Sequence, residues 1–171
     1  MTDTTSTMEP SASPPMTTPD PARVLELLTF RCGGQAYAVD IMSVREIRCW
    51  SEPTPLPHAP SYMRGMVNLR GSVLPVMDLA QRLGRDATTD DPRNVIIVMQ
   101  KGSRVNGLLV EAVSDIVCPS GEELQAVPKV GAEDAESIAD RLFLLEDEMI
   151  QVLSTERLMP ALRSGDTELC A

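Results

Sequence analysis

Met63-Arg64-Gly65-Met66-Val67-Asn68-Leu69-Arg70-Gly71-Ser72-Val73-Leu74-Pro75-Val76-Met77-Asp78-Leu79 is the stretch that decides how this chain folds. Apolar residues alternate with polar or small ones up to Arg70, Gly71-Ser72 supplies a turn, and a second apolar run follows. That pattern predicts a β-hairpin, with Gly71 taking the positive φ that a tight connection demands at no Cβ cost. Successive side chains on a strand face opposite ways, so Val67 and Leu69 share one face and Asn68 and Arg70 the other. A small barrel buries the first pair and shows the second to a partner. No catalytic group stands beside them.

Working upstream, Val24 to Cys32 reads as a strand that ends in a Gly33-Gly34 turn and returns over Gln35 to Val39. Asp40 can cap a short helical turn before a strand over Val44 to Trp50. On that strand Val44, Glu46, Arg48 and Trp50 fall on one face, and Arg45, Ile47 and Cys49 on the other. Pro53, Pro55, Pro57 and Pro60 mark a loop, with a helical turn expected at Ser61 to Arg64.

Downstream, Leu79 to Leu83 forms one helical turn ended by Gly84. Arg85 to Arg93 is a polar loop, either a subdomain boundary or a surface excursion. The short run Val95 to Met99 suits a strand covered on both faces. Val105 to Ser114 is its expected hairpin partner, with a bulge at Gly107. Asp115 to Val130 mixes strand and loop, with a long acidic loop at 131–140. Leu142 to Leu145 and Met149 to Leu153 form a last hairpin across Glu146-Asp147-Glu148, and Ser154 caps a helical segment reaching Leu162. No internal repeat is evident in the sequence.

Composition limits what such a chain can do. A folded part of ~150 residues buries roughly 70% of its extended surface, so neither metal nor disulfide is needed for stability. Hydrophobic residues make up 43% and aromatics only 3%, so the core is built from Val, Leu, Ile and Met. A formal charge of −10 argues against nucleic acid, whose phosphates call for clustered Lys and Arg, and against adsorption to anionic lipid. No apolar run approaches the ~20 residues that span a bilayer, and the N-terminus lacks a secretory signal. A cytoplasmic protein without direct membrane insertion is expected. The first ~22 residues, rich in Ser, Thr and Pro, read as a disordered tail.

The same inventory offers little for catalysis. Cys32, Cys49, Cys118 and Cys170 are scattered without a Cys-x-x-Cys pair; the first three read as core or half-buried, the last as a tail thiol. His58, the one histidine, sits between Pro57 and Ala59, and nothing in the sequence brings Cys49 or Asp78 to it. No Gly-rich phosphate loop is present. An SH3-type module for proline-rich ligands needs several groove aromatics, and two Phe, two Tyr and one Trp supply few.

From about Leu27 to Leu162 the chain resembles the chemotaxis coupling protein CheW and the homologous regulatory domain of its histidine kinase. The residues that carry the resemblance are Tyr37-Ala38-Val39-Asp40-Ile41, Val44-Arg45-Glu46-Ile47-Arg48, Pro57-His58-Ala59-Pro60, Arg64 to Gly71, and Leu74 to Leu79, in the family's order. The match fades after about residue 120, and the family's usual glycine around the last hairpin is replaced by Glu146-Asp147-Glu148. The resemblance implies a mainly β fold of two small SH3-like five-stranded β-barrels packed side by side, with short helices and an apolar groove between them. It makes residues 1–22 a tail, 23–165 the folded domain and 166–171 a C-terminal tail.

The same resemblance implies a non-enzymatic adaptor with no cofactor and no metal. Its partners are the chemoreceptor cytoplasmic hairpin tip and the histidine kinase regulatory domain, met in membrane-associated receptor arrays. Val44, Glu46, Gly65 and Arg70 fall at positions linked to coupling, with Asn68 beside them on the hairpin, and Glu46 and Arg70 are expected to pair. Each has a plainer reading too. Arg70 and Glu46 can be ordinary surface charges. Gly65 suits either a tight entry into its strand or a closely packed partner. Val44 and Met66 can line the groove or belong to the core, and Val98 and Leu109 read as core. A scaffold in a paralogous pathway not controlling swimming needs the same surfaces.

Overall fold

The structure, a computed structural model, describes residues 24–128 and 138–159. Two sheets are built from it. The central one uses β3 (Val44–Cys49), β4 (Met63–Leu69), β5 (Ser72–Asp78), β6 (Val95–Lys101) and β7 (Arg104–Val110), in the order β3-β6-β7-β5-β4. The other joins both ends of the described chain: β1 (Leu27–Cys32) and β2 (Gln35–Asp40) with β8 (Ala112–Val117), the two-residue β9 (Gln125–Ala126), β10 (Ala139–Leu145) and β11 (Glu148–Leu153). Its order is β8-β1-β2-β11-β10-β9, six strands where five were expected because β9 adds to one edge. Single helical turns, α1 (Leu79–Arg82) and α2 (Thr155–Leu158), follow β5 and β11.

Without β9, the two orders are the same. A lone strand pairs antiparallel with a hairpin, and that hairpin pairs parallel, through β5 and β7 or through β11 and β2, with a second hairpin. The repeat is invisible along the sequence because it is permuted: the terminal sheet takes one hairpin from before the central sheet and the rest from after it.

Burial follows from this arrangement. Along β6, Ile96 and Val98 join an apolar cluster inside the central sheet, while Ile97 and Met99 join a cluster shared between the sheets. Strand β1 behaves alike: Leu27 lies in the terminal sheet's own cluster, and Leu28 and Phe30 in the shared one. A strand with apolar neighbours on both faces reads as a continuous hydrophobic run, as Val95 to Met99 does. Val98 and Leu109 are fully buried and are core.

Several local expectations change. The Ser61 to Arg64 segment is a turn, Met63 N–H donating to the Pro60 carbonyl at 2.9 Å, that leads directly into β4. Strands β6 and β7 pair in unbroken register, so Gly107 is no bulge. A Cβ there would stand 2.9 Å from Ile96 Cγ2, so the glycine serves close packing inside the curled sheet. The run Val105 to Ser114 divides at Glu111, where the chain leaves the central sheet for the terminal one. The Arg85 to Arg93 loop lies between elements of the central sheet and is a surface excursion, not a boundary. Ser154 stands at the N-cap of α2 without a side-chain bond, and the helix ends at Leu158. Cys32 is buried, but Cys49 and Cys118 are exposed. The expected N-terminal tail, most of the acidic loop, Cys170 and the C-terminal tail lie outside the described residues.

Candidate functional site

The β4–β5 hairpin closes with Leu69 opposite Ser72, so the turn residues are Arg70 and Gly71 and not Gly71 and Ser72. Both take positive φ, +51° and +83°, the twist that suits a two-residue hairpin. Asn68 Oδ1 accepts from Gly71 N–H at 2.9 Å and braces the turn from the strand before it. Val67 and Leu69 are buried and Asn68 exposed, as alternation predicts. Arg70, being in the turn, escapes that alternation. Its guanidinium swings toward β3, where Nη2 lies 3.5 Å from Glu46 Oε2.

That contact brings the β4–β5 turn over to β3, the edge strand at the other side of the central sheet, which is therefore curled. The loop after β3 crosses to the opposite edge: Thr54 exchanges backbone hydrogen bonds of 2.8 Å with Met66 of β4. Gly65 makes this possible. It is buried at φ +142°, and a Cβ on it would stand 2.1 Å from the Thr54 carbonyl oxygen. The missing side chain at Gly65 is thus accounted for within the chain.

Glu46 holds a second cation. Arg48, two residues along β3, donates from Nη1 to Glu46 Oε1 at 3.2 Å. Both residues pair with Val98 and Ile96, whose side chains lie in the central cluster. Val44 does not share their face. A register shift between Val44 and Glu46 turns it toward the cluster between the sheets, opposite Met99. The structure therefore brings Glu46, Arg48, Asn68 and Arg70 together around one hairpin tip, and assigns Val44 and Gly65 to packing.

Below the tip lies a polar centre that the sequence reading missed. Asp78 has a wholly buried side chain. Its Oδ2 accepts from Arg64 Nη2 at 2.9 Å, Arg64 Nε at 3.1 Å and Thr88 N–H at 2.8 Å, while Oδ1 accepts from Thr88 Oγ1 at 2.8 Å and Ala80 N–H at 3.0 Å. One carboxylate thus caps α1, anchors the Arg85 to Arg93 loop and holds Arg64, which also donates to the Thr88 carbonyl and to Asp90. An Asp ahead of a helical turn is an N-cap signal that went unread, and Thr88 comes from a segment with no periodic signal.

The remaining reactive groups stay apart from the tip. His58 is an exposed turn residue at φ +60°. Burial, aided by the negative charges of Asp78 and Glu111, pushes the Cys32 thiol up to about 12, far from the range in which a thiol acts as a nucleophile. Among the described residues no cluster of His, Cys, Asp and Glu is arranged to hold a metal ion, and no helix is long and apolar enough to cross a membrane.

The family model for the CheW-like domain matches residues 26–163. Chemotaxis protein CheW of Rhizobium meliloti is 46% identical over 136 residues, which are 80% of this chain and 88% of that protein. Its namesake in Klebsiella aerogenes is 31% identical over 134 residues, 78% of this chain and 81% of the other. Protein FrzA of Myxococcus xanthus is 35% identical over 88 residues, 52% of this chain and 55% of its own length. Among solved structures, the scaffolding protein TtCheW from Thermoanaerobacter tengcongensis superposes with a TM-score of 0.71 at 25% identity, covering 80% of this chain and 92% of that one.

Proposed function

The chain belongs to the CheW-like family of chemotaxis scaffolds, and on that premise we propose that it couples chemoreceptors to a histidine kinase as a non-enzymatic adaptor. It works in the cytoplasm and is recruited to membrane-associated receptor arrays. The receptor's cytoplasmic hairpin tip meets the surface around Arg70, Glu46 and Asn68, and the kinase regulatory domain, built on the same family plan, packs against one of the sheets. Val44 and Gly65 support that surface from within.

Arg70 is the observation that supports this reading most. A non-glycine residue at positive φ is strained by roughly 1–2 kcal/mol, and such strain tends to persist where a side chain has a task. Here it holds a guanidinium whose side chain is 75% exposed at the tip of a braced turn. Arg is among the residue types enriched at interface hot spots. Coupling by contact further requires that receptor states differ in contact free energy with this surface, since equal affinity shifts nothing.

Co-sedimentation of the full chain with a receptor cytoplasmic fragment, with and without the kinase, tests the proposal. Wild type is expected in the pellet and Arg70→Glu in the supernatant, the two having equal thermal midpoints. Failure of wild type to bind any receptor offered overturns the coupling assignment. The likeness to FrzA, which does not bear the chemotaxis protein's name, supports a second reading, a scaffold in a receptor–kinase pathway not controlling swimming. A receptor-by-receptor binding panel separates the two.

A further inference from the structure

We infer that Arg48 is the counter-ion that Glu46 keeps, and that this leaves the Arg70 guanidinium available to an Asp or Glu carboxylate on the bound partner. Arg48 is then a positioning residue for the docking surface, and the inference rests on the coupling role proposed for that surface. The geometry ranks the two arginines. Arg48 makes a hydrogen bond to Oε1 at 3.2 Å, whereas Arg70 makes only an ion contact to Oε2 at 3.5 Å. No other partner for the Arg70 guanidinium occurs among the described residues, and its side chain is 75% exposed against 38% for Arg48.

Two cations around one carboxylate leave one positive charge to spare on a chain of formal charge −10. Anionic partner groups are repelled by most of the molecule and attracted here. A carboxylate suits the spare group, because the planar guanidinium fork engages carboxylates with two parallel bonds. Glu46 is only 21% exposed. If Arg70 were its sole partner, moving Arg70 onto the receptor would strand a half-buried charge, which is costly. Arg48 removes that cost, since Glu46 stays paired whichever way Arg70 turns. The alternation of β3 makes this possible by setting residues two apart on one face.

Binding of the full chain to the receptor cytoplasmic fragment, measured for Arg48→Gln and for Arg48→Gln combined with Glu46→Gln, tests the idea. With Arg48 gone, Glu46 captures Arg70, and affinity is expected to fall about fivefold, the scale of an exposed ion pair. Neutralising Glu46 as well frees Arg70, so the double variant should bind more tightly than the Arg48→Gln single variant. An Arg48→Gln single variant that binds like wild type, or a double variant as weak as the single, overturns the inference. A partner-free arm keeps the test independent of the receptor chosen. Nε–H resonances of the isolated chain should show Arg48 restrained and Arg70 mobile, with Arg70 becoming restrained in Arg48→Gln. The reverse ranking overturns the inference even where receptor binding succeeds; the expected ranking with no receptor bound sinks only the coupling role.

Discussion

The β4–β5–α1 and β10–β11–α2 segments are the same construction executed with different chemistry. Each is a hairpin closed by two residues of positive φ, followed by one helical turn, with its second strand paired parallel to a strand from another hairpin. In the first, the turn contains Gly71, Asn68 braces it, and Asp78 caps the helix through its side chain. In the second, the turn is Glu146-Asp147 at φ +50° and +67°, no glycine relieves it, and Ser154 makes no side-chain cap bond. Longer-range contacts replace the local ones. Arg31 of β1 grips Glu148 with two bonds of 3.0 Å, Ser154 N–H donates to the Ile138 carbonyl at 2.7 Å, and Leu158 and Met159 are buried between the sheets. The lesson is that one backbone plan can be specified locally or held from outside, and the docking candidates Asn68 and Arg70 lie on the locally specified copy.

Substitution of the two caps should separate the segments most. Asp78→Ala leaves Arg64 without its buried partner and is expected to lower stability by ~3–5 kcal/mol, whereas Ser154→Ala should stay within about 0.5 kcal/mol of wild type. Urea midpoints measure both, and equal losses would break the comparison. Gly65→Ala comes next, at ~2–4 kcal/mol, because backbone and not a yielding side chain stands in the way. Hydrogen exchange at Met66 N–H should accelerate with it as the Thr54 bridge opens.

Exchanging the turn chemistry sharpens the contrast further. Asp147→Gly should raise stability by ~1 kcal/mol and Gly71→Asp should lower it by a similar amount, read from paired denaturation curves. An Asp147→Gly that destabilises would show that the acidic turn has a folded-state partner. A small effect is also expected of Arg31→Ala, at most ~1 kcal/mol, because the ion pair with Glu148 is about half exposed on both sides. Its contribution should shrink in high salt while that of Asp78 persists.

Legibility in the sequence tracked the same division. The first hairpin could be placed from Gly71 and from alternation alone, and Val67, Leu69 and Asn68 landed on the expected faces. Arg70 was displaced from its expected face, since a one-residue shift of the turn takes it out of the strand, and alternation says nothing about a residue of positive φ. Val44 left the Glu46 face for a related reason: a register shift breaks period two, and no residue type announces it. Arg48 was seen to share a face with Glu46, yet which of two arginines holds a carboxylate depends on distances of a few tenths of an ångström. Asp78 gave no sign of being a buried centre, because Arg64 and Thr88 reach it from segments 14 and 10 residues away.

By itself the sequence determined the β-rich class, the strands and their punctuation, the aliphatic core and the kinship to a scaffold family. All of these rest on local periodicity, on residues with restricted or permissive backbones, and on ordered motifs. Tertiary structure alone decided the permuted repeat, the bridge from Thr54 to the edge strand β4, the buried centre at Asp78 and the sharing of Glu46 between two arginines. Each of those depends on where non-local segments meet, and the pairing of distant strands is set by the total burial of both sheets and not by any window of sequence.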